Sequence, residues 1–120
     1  MLVVDDSASV RRRARRLEGA GYTVVEAPDG AAALAAIDAN RPVMVLTDLN
    51  MGEMSGVELV AKIRARHDRA ALPVVVFSSQ VSAEVKSQGR AAGANGWLAK
   101  PVDAARVRSV VDYLVEKYAS

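Results

Sequence analysis

The chain has 120 residues, 51% hydrophobic and 25% charged, a balance suited to one globular domain with a substantial core. It has no cysteine, which excludes disulfides, thiol catalysis and thiolate metal sites, and its net charge of +2 is too small to make nucleic acid the default partner. With no apolar run of the ~18 residues a membrane span needs and no signal-peptide pattern, a soluble, cytoplasmic protein without membrane insertion is expected.

MLVV at 1–4 is a short β-rich run, and Asp6 or Ser7 can cap a helix predicted over 7–19. In that helix Val10, Ala14 and Leu17 form the inward stripe, which leaves Arg11, Arg12, Arg15 and Arg16 on the sides facing water. The same arginines are alternatively a docking surface for an acidic partner. A second strand is predicted at 22–27, and Asp29-Gly30 opens a second helix over 30–39. A third strand at 42–48 precedes a helix at 55–67, and a fourth at 72–79 precedes a helix at 82–92 that starts at Ser82 with Glu84. The last strand, at 95–99, leads through Pro101-Val102-Asp103 into a helix over 103–118. Val107, Val110, Val111, Leu114, Val115 and Tyr118 form its apolar stripe.

The third and fourth strands are almost wholly apolar, as strands covered on both faces should be. Five βα units in this order predict an α/β fold, an open five-stranded parallel sheet with helices on both sides, forming one domain over 1–120.

In such sheets ligands bind outside the carboxyl ends of the strands. The first strand ends in Asp5-Asp6, the third in Asp48 and the fourth in Ser78-Ser79, while the fifth leads to Lys100-Pro101. Two carboxylates ~4 Å apart repel by about 4 kcal/mol at an effective dielectric near 20. Either a proton is retained or a cation binds, and oxygen-only donors select a hard ion, with Mg²⁺ the leading choice. A divalent ion beside a carboxylate, a hydroxyl and a lysine suits phosphoryl transfer, with an aspartate as nucleophile.

The set VVDDS, LTDLNM..MSG, VVVFSS and GWLAKP resembles the receiver domain of two-component response regulators, of the chemotaxis-regulator type, over essentially the whole chain. The steps of 30 residues from Asp48 to Ser78 and 22 from Ser78 to Lys100 keep that family's register, and the resemblance implies a doubly wound (βα)5 sheet in the flavodoxin-like strand order 2-1-3-4-5. The resemblance implies that Asp48 is the phosphoacceptor, charged from a phosphohistidine of a sensor histidine kinase or histidine phosphotransfer protein. It implies that Asp6 and Asp48 bind Mg²⁺ directly, that Asp5 acts mainly through water, and that Asn50 lends its backbone carbonyl. Ser78 and Lys100 would hold phosphoryl oxygens, and Lys100-Pro101 would be a cis peptide. Ser78 and Trp97 would be the moving pair of a switch, with the helix 4–strand 5–helix 5 face as the surface that meets a downstream protein target. The chain would be self-phosphorylating and self-dephosphorylating rather than an enzyme acting on other substrates.

Departures from the pattern accompany the match. Gly52 stands where a Pro is usual, Trp97 is bulkier than the usual Tyr or Phe and works against an inward rotamer, and Ser79 adds bulk beside the phosphate route. Arg13 replaces an apolar residue, and Asn50 and Gln80 occupy the two positions that tune acyl-phosphate lifetime in the family. Asn95-Gly96 replaces the acidic pair of the dimerising branch, so a monomer is expected over a dimer. His67, the sole histidine, falls in a polar stretch and is expected at the surface. A phosphatase using an aspartyl-phosphate would need a second acid where Asn50 stands. A receiver-like interaction module that is never phosphorylated is the alternative, against which the acid set, Ser78 and Lys100 argue.

Overall fold

The computed structural model describes residues 1–49, 54–67, 71–79, 82–100 and 103–118. Asn50, Gly52, Gln80 and Pro101 lie outside the described residues, as do the side chains of Arg13, Val115 and Tyr118.

Five strands, β1 (Leu2–Val4), β2 (Val25–Ala27), β3 (Val45–Asp48), β4 (Val74–Ser78) and β5 (Gly96–Ala99), form one sheet in the order β2-β1-β3-β4-β5. All four pairings are parallel, as predicted. The helices are α1 (Ala8–Ala14), α2 (Gly30–Asn40), α3 (Gly56–Arg64), α4 (Ala83–Ala92) and α5 (Ala104–Tyr118).

Alternation along the strands divides the core in two. Leu2, Val4, Val45, Val74 and Val76 pack with Ala33 and Ile37 of α2 and Leu59, Val60 and Ile63 of α3. Val3, Leu46, Val75, Phe77 and Leu98 pack with Ala14, Leu17, Val107 and Leu114 on the α1 and α5 side. β3 and β4 are buried throughout, which is why their sequences are apolar without alternation.

Side-chain caps set the helix starts. Asp29 accepts from Ala32 N (2.8 Å), Ser55 from Glu58 N (3.1 Å), Ser82 from Val85 N (3.2 Å) and Asp103 from Arg106 N (2.8 Å).

Two features differ from the sequence expectation. The strands start later than expected, at Val25, Val45, Val74 and Gly96, and β2 pairs over only three residues because β1 offers only Leu2–Val4 as its partners. The first helix is α-helical only to Ala14 and continues as a 3₁₀ coil over Arg15–Ala20. There the i,i+3 spacing brings Arg15 Nη1 within 2.9 Å of Glu18 Oε1. No helix among the described residues is long and apolar enough to cross a membrane.

Candidate functional site: an acid cluster facing a lysine

The parallel order delivers the polar strand ends to one edge. Asp5 follows β1, Asp48 closes β3, Ser78 closes β4 and Lys100 follows β5. Asp48 is in register with Phe77, so Ser78 lies one step further along the neighbouring strand. The Lys100 N–H donates to Ser78 O at 2.9 Å, which ties the lysine to that step.

Asp5 is fully buried, Asp48 and Ser78 nearly so, and Asp6 is exposed at the mouth. One carboxylate oxygen from each of Asp5, Asp6 and Asp48 lies within 4.8 Å of the other two. Lys100 Nζ stands 3.1 Å from Asp48 Oδ1 and 3.3 Å from Asp5 Oδ2, and 5.3 Å above the Phe77 ring. The four residues predicted to form the centre are therefore brought together, with Ser78 beside them.

Asp5 and Asp48 each have one carboxylate oxygen engaged by a nearby backbone N–H. Asp5 Oδ1 accepts from Ser7 N (2.8 Å), and Asp48 Oδ1 accepts from Leu49 N (2.9 Å). Asp5 Oδ2 is buried without a hydrogen-bond partner, its lysine contact being an ion pair rather than an aligned hydrogen bond. Burial pushes the Asp5 carboxyl above the ordinary carboxylate value, the Ser7 N–H draws it back, and the Asp48 charge raises it further. Burial works to lower the Lys100 ammonium, but contact with Asp48 and the charges of Asp48 and Asp5 outweigh it, and the net shift is upward.

A buried, unsatisfied carboxylate oxygen in an all-oxygen acid cluster fits a hard divalent cation. A cation there, met directly or through water, would give the Asp5 oxygen a partner and offset the Asp48 repulsion that adds to burial in raising its carboxyl.

Several supporting residues were not legible in the sequence. A Cβ on Gly56 would collide with the Asp48 carbonyl oxygen, so glycine there lets the start of α3 close against the end of β3. Thr47 Oγ1 donates to Asp48 O at 3.0 Å. Arg11, expected to face water, is turned inward: its side chain is 19% exposed and its Nη1 donates to Asp5 O at 2.7 Å. The stripe pattern assigns a residue to a helix face but carries no information on a contact across the loop that precedes the helix. Arg12, Arg15 and Arg16 are exposed as expected.

Trp97 is half-buried and packs against the α2/α3 core with its ring over Gly89 of α4. A Cβ on Gly89 would lie 2.6 Å from the indole Cζ3, so the missing side chain makes room for the bulkier ring. The Trp97 Nε1 is buried with no hydrogen-bond partner. His67 is partly exposed.

The response regulator receiver domain family matches residues 1–112. Chemotaxis protein CheY-3 of Vibrio cholerae is 33% identical over 119 residues, covering 98% of this chain and 92% of that protein. Transcriptional regulatory protein PrrA of Mycobacterium tuberculosis is 36% identical over 121 residues, and the chain spans 51% of its length. The solved structure of Vibrio cholerae chemotaxis protein CheY4 superimposes with a TM-score of 0.85 at 33% identity, covering 94% of this chain and 95% of that one. Fold, strand-end chemistry and relatives agree: this chain belongs to the response regulator receiver domain family of two-component signalling.

Proposed function

We propose that the chain is a cytoplasmic phosphorylation switch in which Asp48 accepts a phosphoryl group from a phosphohistidine of a sensor histidine kinase or histidine phosphotransfer protein. The observation that carries this reading is Lys100 Nζ held 3.1 Å from Asp48 Oδ1 beside Asp5 and Asp6.

In the transfer, an Asp48 carboxylate oxygen attacks phosphorus, the new O–P bond forms, and the N–P bond of the phosphohistidine breaks. The departing imidazole keeps its bonding electrons and takes a proton from solvent. Leu49 N–H and Lys100 engage Oδ1 of Asp48, which orients the carboxylate and leaves Oδ2 as the attacking atom. Lys100 and the Ser78 hydroxyl then hold oxygens of the transferred group. Asp5, Asp6, Asp48 and the Asn50 carbonyl would hold Mg²⁺, which when bound supplies positive charge opposite the phosphoryl oxygens.

The phosphorylated state would draw Ser78 toward the phosphate, shift the Trp97 ring and change the face made by α4, β5 and α5, where a downstream protein binds. The isolated chain is proposed to act as a monomer, as a switch that does not turn over external substrates.

Incubation with acetyl phosphate and Mg²⁺, followed by a phosphate-affinity gel, should retard the wild type and leave Asp48→Ala unshifted. Stoichiometric labelling of Asp48→Ala would move the acceptor elsewhere, and an unlabelled wild type would favour an interaction module that is never phosphorylated.

A further inference from the structure

We infer that Arg11 is a positioning residue for the acid pair, clamped by Glu26 so that it fixes the peptide plane between Asp5 and Asp6 and thereby tunes divalent-cation affinity. This rests on the reading of Asp5, Asp6 and Asp48 as a cation site.

The Asp5 main chain is held at both ends. Its N–H donates to Ala27 O of β2 at 3.1 Å, and its carbonyl accepts from Arg11 Nη1 at 2.7 Å. That carbonyl belongs to the Asp5–Asp6 peptide, which is planar, so fixing its oxygen fixes where the Asp6 N and Cα lie and leaves one backbone torsion, φ of Asp6, to set the direction of its Cβ. Asp6 is the exposed member of the cluster, so packing constrains it less than Asp5 and its backbone anchor matters more. Oδ1 of Asp5 is already taken by Ser7 N–H, so the Arg11 contact completes a frame around the residue that leaves Oδ2 facing Lys100 Nζ at 3.3 Å.

Arg11 is itself constrained. Its Nε lies 3.5 Å from Glu26 Oε1, while Glu26 Oε2 is engaged by Arg15 Nε. One β2 carboxylate thus grips two arginines of the first helical segment, and the fork geometry of the guanidinium spans from that carboxylate to the Asp5 carbonyl.

Two effects of Arg11 on a bound cation have opposite signs, which makes the inference testable. As a nearby positive charge it repels the metal, so removing it would tighten binding. As a clamp on the ligand frame it favours the metal, so removing it would loosen binding. Glu26 offsets much of that charge, since Arg15, its other partner, is also paired with Glu18, so the clamp dominates. Groups that orient metal ligands commonly contribute 10–100-fold in affinity, and a loss of about 10-fold is expected for Arg11→Met.

The test is calorimetric titration with MgCl₂ of wild type, Arg11→Met, Arg11→Lys, Glu26→Gln, the Arg11→Met/Glu26→Gln pair and Asp6→Asn. The melting temperature of each protein is also recorded in EDTA. Weaker Mg²⁺ binding in Arg11→Met and Glu26→Gln, partial recovery in Arg11→Lys, and a double variant no worse than Arg11→Met support the clamp. Unchanged or tighter binding in both single variants overturns it, as does a fall in EDTA melting temperature with Mg²⁺ affinity retained, which marks a merely structural contact. If Arg11→Met does not fold, Glu26→Gln and Arg11→Lys decide by the same criterion. A wild type that binds no Mg²⁺, like Asp6→Asn, instead rejects the cation-site reading itself.

Discussion

Lys100 Nζ reaches to within 3.1 Å of Asp48 Oδ1, an oxygen that also accepts from Leu49 N. The ammonium therefore offsets the charge of two buried acids while no cation is bound. Replacing it, as in Lys100→Met, leaves Asp5 and Asp48 without their counter-charge. The lysine side chain is 26% exposed, so solvent screening reduces the effect below that of a fully buried pair. Urea unfolding at neutral pH in EDTA should show a loss of about 1–3 kcal/mol, the usual cost of leaving a buried polar group without its partner. MgCl₂ should restore much of it, because the cation supplies the missing charge. Equal stability of variant and wild type in EDTA would show that this contact contributes nothing to the fold.

Asp5 makes the metal-free protein sensitive to pH. Its carboxyl is raised in the folded state by burial foremost and by Asp48, so the folded chain holds that proton more tightly than the unfolded one. The stability tied to Asp5 is present below the ordinary carboxylate value and is lost as pH rises through the raised one. Lys100, also raised, keeps its contribution at neutral pH and loses it only as pH climbs through its elevated lysine value. Asp5→Asn should therefore melt several degrees higher than wild type in EDTA at neutral pH, with the difference vanishing in acid. It should also lose most of the melting-temperature rise that MgCl₂ gives the wild type. A variant less stable than wild type at neutral pH would contradict this sign.

The parallel sheet and the meeting of Asp5, Asp48, Ser78 and Lys100 were legible because the strands announce themselves as apolar runs, and those of β1, β3, β4 and β5 end on or lead directly into a polar residue, while the strand order came with the resemblance to receiver domains. Parallel topology then leaves one edge for those ends. The 3₁₀ tail after Ala14 was not legible, since Val10, Ala14 and Leu17 suit an α-helical stripe and the tightening appears only in hydrogen bonding. Arg11 and Gly56 escaped for a related reason. Their roles depend on how α1 and α3 approach the backbone of Asp5 and Asp48, a tertiary distance that periodicity does not encode.

Gly89 illustrates the same limit and carries its own prediction. In sequence it is a helix-weakening residue in a polar segment, whereas in the fold it is the buried floor under the Trp97 ring. Gly89→Ala gains about 1 kcal/mol of helix propensity, but its methyl would overlap the indole. Stability should change little or fall modestly, while the ring is displaced toward water. Trp97 is the sole tryptophan, so its emission should shift to the red and acrylamide quenching should rise. An unchanged spectrum would show that α4 moves away from the sheet and leaves the ring in place.

At the opposite edge of the sheet, Arg64 ties four segments together, and its loss should separate stability from chemistry. Its Nε donates to Gly93 O at 2.8 Å, and its Nη1 donates to Leu72 O at 2.7 Å and His67 O at 3.1 Å. Nη2 engages Asn95 Oδ1, which also accepts from Val74 N at 2.9 Å. The guanidinium thus satisfies carbonyls past the ends of α3 and α4, where helix dipoles favour a cation, while Asn95 joins the starts of β4 and β5. Arg64→Gln leaves several of these acceptors without a donor and should reduce unfolding free energy by about 2–4 kcal/mol. Arg64→Lys should recover part of that, since one ammonium cannot span all the acceptors. Because the acids lie at the other ends of the strands, Mg²⁺ affinity measured under folding conditions should match wild type for both variants. A joint loss of stability and Mg²⁺ affinity would mean that the starts of β4 and β5 govern the placement of Asp48, against the separation that the topology implies.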